Sequence, residues 1–340
     1  MSYLPKFGLN KWPHAREPTA AGRRLTMMPS PPQANGGYTL RVAASNSSAQ
    51  NKQGADYLCT GTNDEVQIQA AINALPATGG KVILEAGTYT LGAGLVIASN
   101  AIILEGEGNG TLIQFSGANN APCLSSGSST IPHYYMQVKN LFLQDTDGNG
   151  TGIDCSYWSL ALVSNVRIYG VKVGINGNGQ GQGTCLYNYF ENVTIQPSPV
   201  TGNVGMQLTN TANENTCMRI RIVANAQTTG LINAAHGNSF YDYDVEGAAV
   251  GIDVQTGGDD CSIFAPYLED NKINFQIAAN VEACSLFGGT CLRTNTTSSI
   301  NNLGAKGLNI YNLRLNYEQF THSEVQNGFP KNRDAIPNFV

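Results

Sequence analysis

The chain has 340 residues, of which 13% are charged and 41% apolar, with 38 glycines and a formal net charge of −5. That balance offers no basic footprint for nucleic acid, too much apolar content for a disordered chain, and no run of about 18 apolar residues that could cross a membrane as a helix. Frequent Gly and Asn, the residues of tight corners, point to a turn-rich all-β protein long enough to bury a sizeable core.

Residues 1–50 read as an extended, basic, proline-rich docking arm. Pro5, Pro13, Pro18, Pro29, Pro31 and Pro32 exclude long regular elements, and Lys6, Lys11, Arg16, Arg23 and Arg24 face a single acid, Glu17. Leu4, Phe7, Leu9 and Trp12 are apolar anchors that a plain linker would not need, so the arm is expected to order on a partner surface. The same stretch lacks the continuous apolar core of a secretory signal.

Residues 51–80 hold a lead-in strand and a capping helix. Thr62 with Glu65 forms a capping box, Ile68, Ala71, Ile72 and Leu75 recur at helical spacing, and Pro76, Gly79 and Gly80 end the run. The segments KVILEAGTY, LVIAS and AIILEGEG then read as short strands separated by Gly or Asn.

The succession from Thr62-Asn-Asp-Glu through IQAAINALP to GGKVILEAGTYTL resembles the N-terminal cap and first coil of the pectate-lyase-like right-handed parallel β-helices. That superfamily includes pectin-cleaving lyases and hydrolases, and also phage tailspikes and other virion appendages. The resemblance covers residues 56–108 and implies an all-β, right-handed single-stranded parallel β-helix with an N-terminal capping helix. It says almost nothing about chemistry, because members with different activities share this cap.

Residues 81–295 carry the repeat of a solenoid. Asn140, Asn165 and Asn192 each precede an apolar strand and are 25 and 27 residues apart, and Arg219 follows by 27. Independently, Gly152-Ile153, Gly174-Ile175, Gly205-Met206, Gly230-Leu231 and Gly251-Ile252 advance by 22, 31, 25 and 21 residues. Two markers advancing together argue for stacked coils, none stable alone, with the extra residues leaving as loops. Residues 296–340 read as a C-terminal tail, in which GLNIYNLRLNYEQF could add one strand pair and NGFPKNRDAIPNFV is irregular. The eight cysteines suggest buried thiols, with Cys284 and Cys291 the best-spaced pair for a disulfide.

Four groups could carry chemistry. Asp242, Asp244 and Glu246 alternate, so on an unbroken strand all three carboxylates would share one face about 7 Å apart. Such a row could line a polysaccharide groove or act on a glycosidic bond, with Arg219 and Arg221 as a clamp for a carboxylate substrate. The resemblance implies acidic clusters as the family's catalytic apparatus, but no stretch matches either family active-site motif residue by residue. Asp145, Asp147 and Asn149 match the opening of a calcium loop, although Ser156 stands where the bidentate Glu belongs. Tyr157, Trp158, Tyr187 and Tyr189, with Tyr134 and Tyr135, could stack on sugar rings.

The sequence therefore favours a phage virion appendage, a tailspike or capsid-decorating spike. It would be homotrimeric, docked to other virion proteins by residues 1–50, and in contact with a host surface polysaccharide. It would need no cofactor, Ca²⁺ at the Asp145 loop being the one open alternative. A secreted polysaccharide lyase or glycoside hydrolase, and a purely structural virion assembly protein, are the competing readings. They are separable by export, by product release and by glycan binding.

Overall fold

Asn140, Asn165 and Asn192 interrupt the long strands Gln137–Asp145, Leu162–Val171 and Tyr189–Pro197, and each takes a left-handed backbone with φ of 56°, 54° and 52°. After Gly, Asn enters that region at the least cost. The left-handed residue resets the strand's alternation, so Val138 and Leu141 both face inward although they are three apart. The amides of this corner form a ladder. Asn165 Nδ2 donates to Asn140 Oδ1 at 3.1 Å, and Asn192 Nδ2 donates to Asn165 Oδ1 at 2.6 Å. Arg219, Asp242, Ala265 and Asn312 take the same conformation at the corner in later coils.

The second marker builds a different sheet. Ile153, Ile175, Met206, Leu231, Ile252 and Phe275 are successive register partners in a nine-stranded parallel sheet, and none is exposed. The glycine before each of the first five lets coils approach closely; Asn274 takes that place before Phe275. A Cβ on Gly205 would lie 2.7 Å from the Gly230 carbonyl oxygen and 2.7 Å from two carbons of Ile222. The computed structural model, which describes residues 37–117, 121–127, 131–181, 183–292 and 298–315, is thus a right-handed parallel β-helix of about 9 turns. Its core is a set of columns running along the axis, such as Leu143–Ile168–Ile195–Ile222–Val245–Leu268. Removing such side chains from water stabilises each coil only against its neighbours.

The capping helix spans Glu65–Asn73 and buries Ile68, Ala71 and Ile72. Its start differs from the expected capping box. Asp64, not Thr62, is the N-cap, and its buried carboxylate accepts from the N–H groups of Thr60, Gly61 and Thr90 at 3.0, 2.8 and 2.9 Å. Glu65 does not reach back within the helix; it accepts from Gly92 N at 2.8 Å. The helix N-terminus is thereby tied to the strand Gly87–Leu91, a long-range tie that local sequence spacing does not encode.

Strands lie on both sides of residues 81–295, including a lead-in strand and a late strand pair of the kind the sequence suggested. The strand Thr39–Ala43 pairs with Gly80–Leu84, and a short helix, Ala49–Gln53, follows with Ser48 Oγ accepting from Asn51 N at 3.1 Å. At the other end, the strands Ser298–Asn302, Leu308–Tyr311 and Arg314–Leu315 extend the sheets past residue 295. The anchors Leu4, Phe7 and Trp12, with Arg23 and Arg24, lie outside the described residues.

All eight cysteines are buried free thiols. The neighbour of Cys284 is Cys261, with Sγ atoms 2.7 Å apart, and not Cys291. A parallel solenoid brings together residues one coil apart, so a spacing of seven within one coil does not pair them.

Candidate functional site

The aromatic candidates divide by exposure. Trp158 is fully buried, its Nε1 donating to the Ile97 carbonyl at 3.0 Å. Tyr189 is 5% exposed with its hydroxyl against Met218 Sδ, and burial raises its pKa. Both belong to the packed interior. Tyr157 is half-buried, whereas Tyr135 is 43% and Tyr187 57% exposed.

Tyr135 and Tyr187 share one corner of the solenoid. Successive N–H groups donate to the next coil there, Tyr135 to Ser159 O at 3.2 Å, Leu160 to Leu186 O at 2.9 Å and Tyr187 to Asn213 O at 3.4 Å. All three residues have left-handed backbones, with φ of 65°, 54° and 56°. Two coil steps put the tyrosine positions about 10 Å apart along the axis. Left-handed backbone costs a bulky residue roughly 1–2 kcal/mol, a cost Leu160 bears in the coil between them. Strain of this kind concentrates at functional sites. Tyr134 supports the first ring, its centroid 6.3 Å from that of Tyr135. His133, on the two-residue strand His133–Tyr134, has a buried, unbonded Nε2, and desolvation lowers its pKa. The same corner continues through Glu214 and Asp260 to a contact between His236 Nε2 and Asp260 Oδ2 at 2.7 Å, which its scattered sequence positions concealed.

The three-acid row does not form as expected. Asp242 occupies a left-handed corner with φ 49°, so the strand breaks there and only Asp244 and Glu246 share an outward face. Tyr243 and Val245 point inward, while Tyr241 faces out. Tyr241 begins an outer stack with Phe264, Phe287 and Tyr311, at centroid spacings of 4.7, 4.8 and 5.0 Å. The repeat of 23, 23 and 24 residues between these rings was a legible signal that went unread.

The two arginines also separate. Arg219 sits at the left-handed corner and pairs with Glu191, while Arg221 pairs with Asp244 at 3.3 Å and Glu246 at 3.0 Å. Together they form no clamp. Burial, with repulsion from Glu246 added and attraction to Arg221 opposing, raises the Asp244 pKa to about 6. Tyr267, in register with Asp244, donates from its hydroxyl to Glu269 at 2.8 Å. The arrangement can present one partly protonated carboxyl beside two carboxylates. Among the described residues no group of three or more His, Cys, Asp or Glu is placed to hold a metal ion.

The Asp145 loop is closed by its own backbone. Asp145 Oδ1 accepts from Gly117 N at 3.0 Å and Asp147 N at 3.1 Å, and Oδ2 from Gly150 N at 2.6 Å. Asp147 accepts from Ser116 Oγ at 2.8 Å and from Asn149 N at 3.1 Å. Backbone N–H groups and the Ser116 hydroxyl thus bond these oxygens, stapling one coil's turn to the coil before it.

No family model matches the chain, and no curated protein sequence matches it. Solved structures match it at the level of fold. One is a Geobacillus virus E2 protein, ORF18, at 14% identity and TM-score 0.46, covering 75% of this chain and 60% of that one. The chain therefore spans 60% of the length of the viral protein. Another is the endo-xylogalacturonan hydrolase of Aspergillus tubingensis, at 12% identity and TM-score 0.49, covering 82% and 92%. A third is an alginate lyase of a Paenibacillus species, at 11% identity and TM-score 0.40, covering 81% and 99%. These likenesses are of fold alone, the parallel β-helix.

Proposed function

We propose that the protein is a phage virion appendage, a tailspike or capsid-decorating spike, that contacts a host surface polysaccharide through the corner built on Tyr135 and Tyr187. The observation that carries this is the pair of exposed tyrosines held in left-handed backbone on one axial column. Rings so placed give apolar faces to sugar rings, with polar edges to meet hydroxyls. The basic residues 1–50 are the docking element toward other virion proteins, in a homotrimer.

Replacing both tyrosines by Gly tests the site, because Gly relieves the backbone while deleting the rings. The variant is expected to lose binding to host surface polysaccharide with thermal stability held or raised. Retained binding would remove the corner from consideration. Deleting residues 2–36, upstream of the first strand, is expected to abolish particle attachment with the β-helix still folded.

A second reading, a polysaccharide lyase or hydrolase, is supported by the raised pKa of Asp244 beside Glu246 and Arg221. Its test is release of reducing or unsaturated sugar ends that disappears in Asp244→Asn. No release from any host polysaccharide by the unsubstituted protein would eliminate this reading.

A further inference from the structure

A second surface, at the far end of the strand that follows Tyr135, carries different chemistry. Gln114, Gln144, Tyr169 and Gln196 are successive register partners on the outer side of the strands Thr111–Phe115, Gln137–Asp145, Leu162–Val171 and Tyr189–Pro197. Gln114 Nε2 donates to Gln144 Oε1 at 3.1 Å, which orders the start of the row. The other end opens into a depression of about 290 Å³ between Asp147, Tyr169, Gln196 and Ser198. That volume falls at the bottom of the range for small-molecule sites, roughly 300–1,000 Å³, and suits a single ring.

The lining sets the ligand class. Tyr169 is 37% exposed and supplies an apolar face. Gln196 supplies an amide donor and acceptor, Ser198 a hydroxyl, and Asp147 carboxylate oxygens. Asp147 is held in place by Ser116, whose hydroxyl also lowers its pKa. No Lys or Arg is among the lining residues. Any net charge presented to a ligand here is negative, so a sugar acid meets repulsion without a compensating cation. An uncharged pyranose can lay its C–H face on Tyr169 and direct vicinal hydroxyls to the carboxylate and the amide.

We propose that this depression binds one pyranose ring of an uncharged saccharide. The proposal rests on the reading of the chain as a polysaccharide-contacting protein, and adds a second site with its own ligand class. Asp145 ends the strand that begins just after Tyr135, so the two sites lie at opposite ends of one strand.

The test titrates the full chain with oligosaccharides of glucose, of N-acetylglucosamine and of galacturonic acid, read by saturation-transfer NMR and calorimetry. Variants Tyr169→Ala, Gln196→Ala and Tyr187→Gly are compared, all at surface positions. The expected result is binding of a neutral oligosaccharide that weakens about tenfold in Tyr169→Ala, the size of a lost aromatic contact. Galacturonate oligomers are expected not to bind. Binding unaffected by Tyr169→Ala but lost in Tyr187→Gly overturns the second site and leaves the polysaccharide reading intact. Galacturonate binding that depends on Tyr169 overturns the ligand class. Failure of every oligosaccharide together with failure of host polysaccharide to bind overturns both.

Discussion

Two glycine-to-alanine substitutions are expected to move stability in opposite directions for reasons visible in the coil stacking. At Gly205 an added Cβ meets the Gly230 carbonyl oxygen at 2.7 Å and Ile222 Cδ1 and Cγ2 at 2.7 Å. Normal carbon contacts are about 3.5–4.0 Å, so the methyl intrudes by roughly 1 Å on two walls that cannot yield independently. One wall is backbone of the next coil and the other is core. Overpacking costs about 1–3 kcal/mol, and two fixed walls place Gly205→Ala near 3 kcal/mol. At about 1.5 °C per kcal/mol for an unfolding entropy of about 2.1 cal/mol/K per residue, the melting temperature should fall by roughly 4–5 °C. At Gly110 the nearest atom to an added Cβ is Ala86 Cβ at 3.5 Å, an ordinary contact. Gly110→Ala restricts only the unfolded chain and should stabilise by about 0.4–1 kcal/mol. Differential scanning fluorimetry with urea midpoints measures both. A Gly205→Ala protein melting within about a degree of the parent would refute the close-approach account of the second marker.

Trp158→Phe leaves the buried Ile97 carbonyl without its donor and is expected to cost about 1–3 kcal/mol in urea denaturation, with polysaccharide binding unchanged. Asp244 ionises less readily when folded, near 6 against an ordinary 3.8, so its contribution favours folding below about 3.8 and is lost as pH rises through about 6. Asp244→Asn should therefore flatten the stability profile between those values, and an unchanged slope would contradict the raised pKa. The eight thiols should stay unreactive toward a disulfide reagent in the folded protein and titrate fully in denaturant. Each is buried, and desolvation pushes Cys59 and Cys291 up to about 12.

Much of the fold was legible because the solenoid repeats its local requirements. Asn recurs at several corners where φ is positive and Gly where coils touch, so their spacing revealed stacked coils. The ends were less legible. Asp64, at the helix start, accepts from Thr90 N, 26 residues away, and no local pattern announces such a bond. The candidate site was read only in part. Asp242, Asp244 and Glu246 alternate in sequence, but Asp242 is the corner residue of its coil, equivalent to Asn140, and that reset removes it from the row. Aligning the markers one coil further would have revealed this. Trp158 and Tyr187 look alike as isolated aromatics; one lies on a two-residue strand facing the core and the other at a left-handed corner facing out. That difference is set by stacking on neighbouring coils and has no local signature. Tyr169 and Gln196 were missed because only their register unites them.

The columns of the core have a consequence for how such a molecule changes size. Val163 pairs with Phe190 and Phe190 with Cys217, so excising residues 190–216 would set Val163 directly above Cys217, one apolar residue on another. The chain's height is in this sense a count and not a packing solution. An in-frame gain or loss of one coil lengthens or shortens the molecule while leaving every remaining interface of a kind already present. The distance between its two ends can drift in evolution without the fold being solved again.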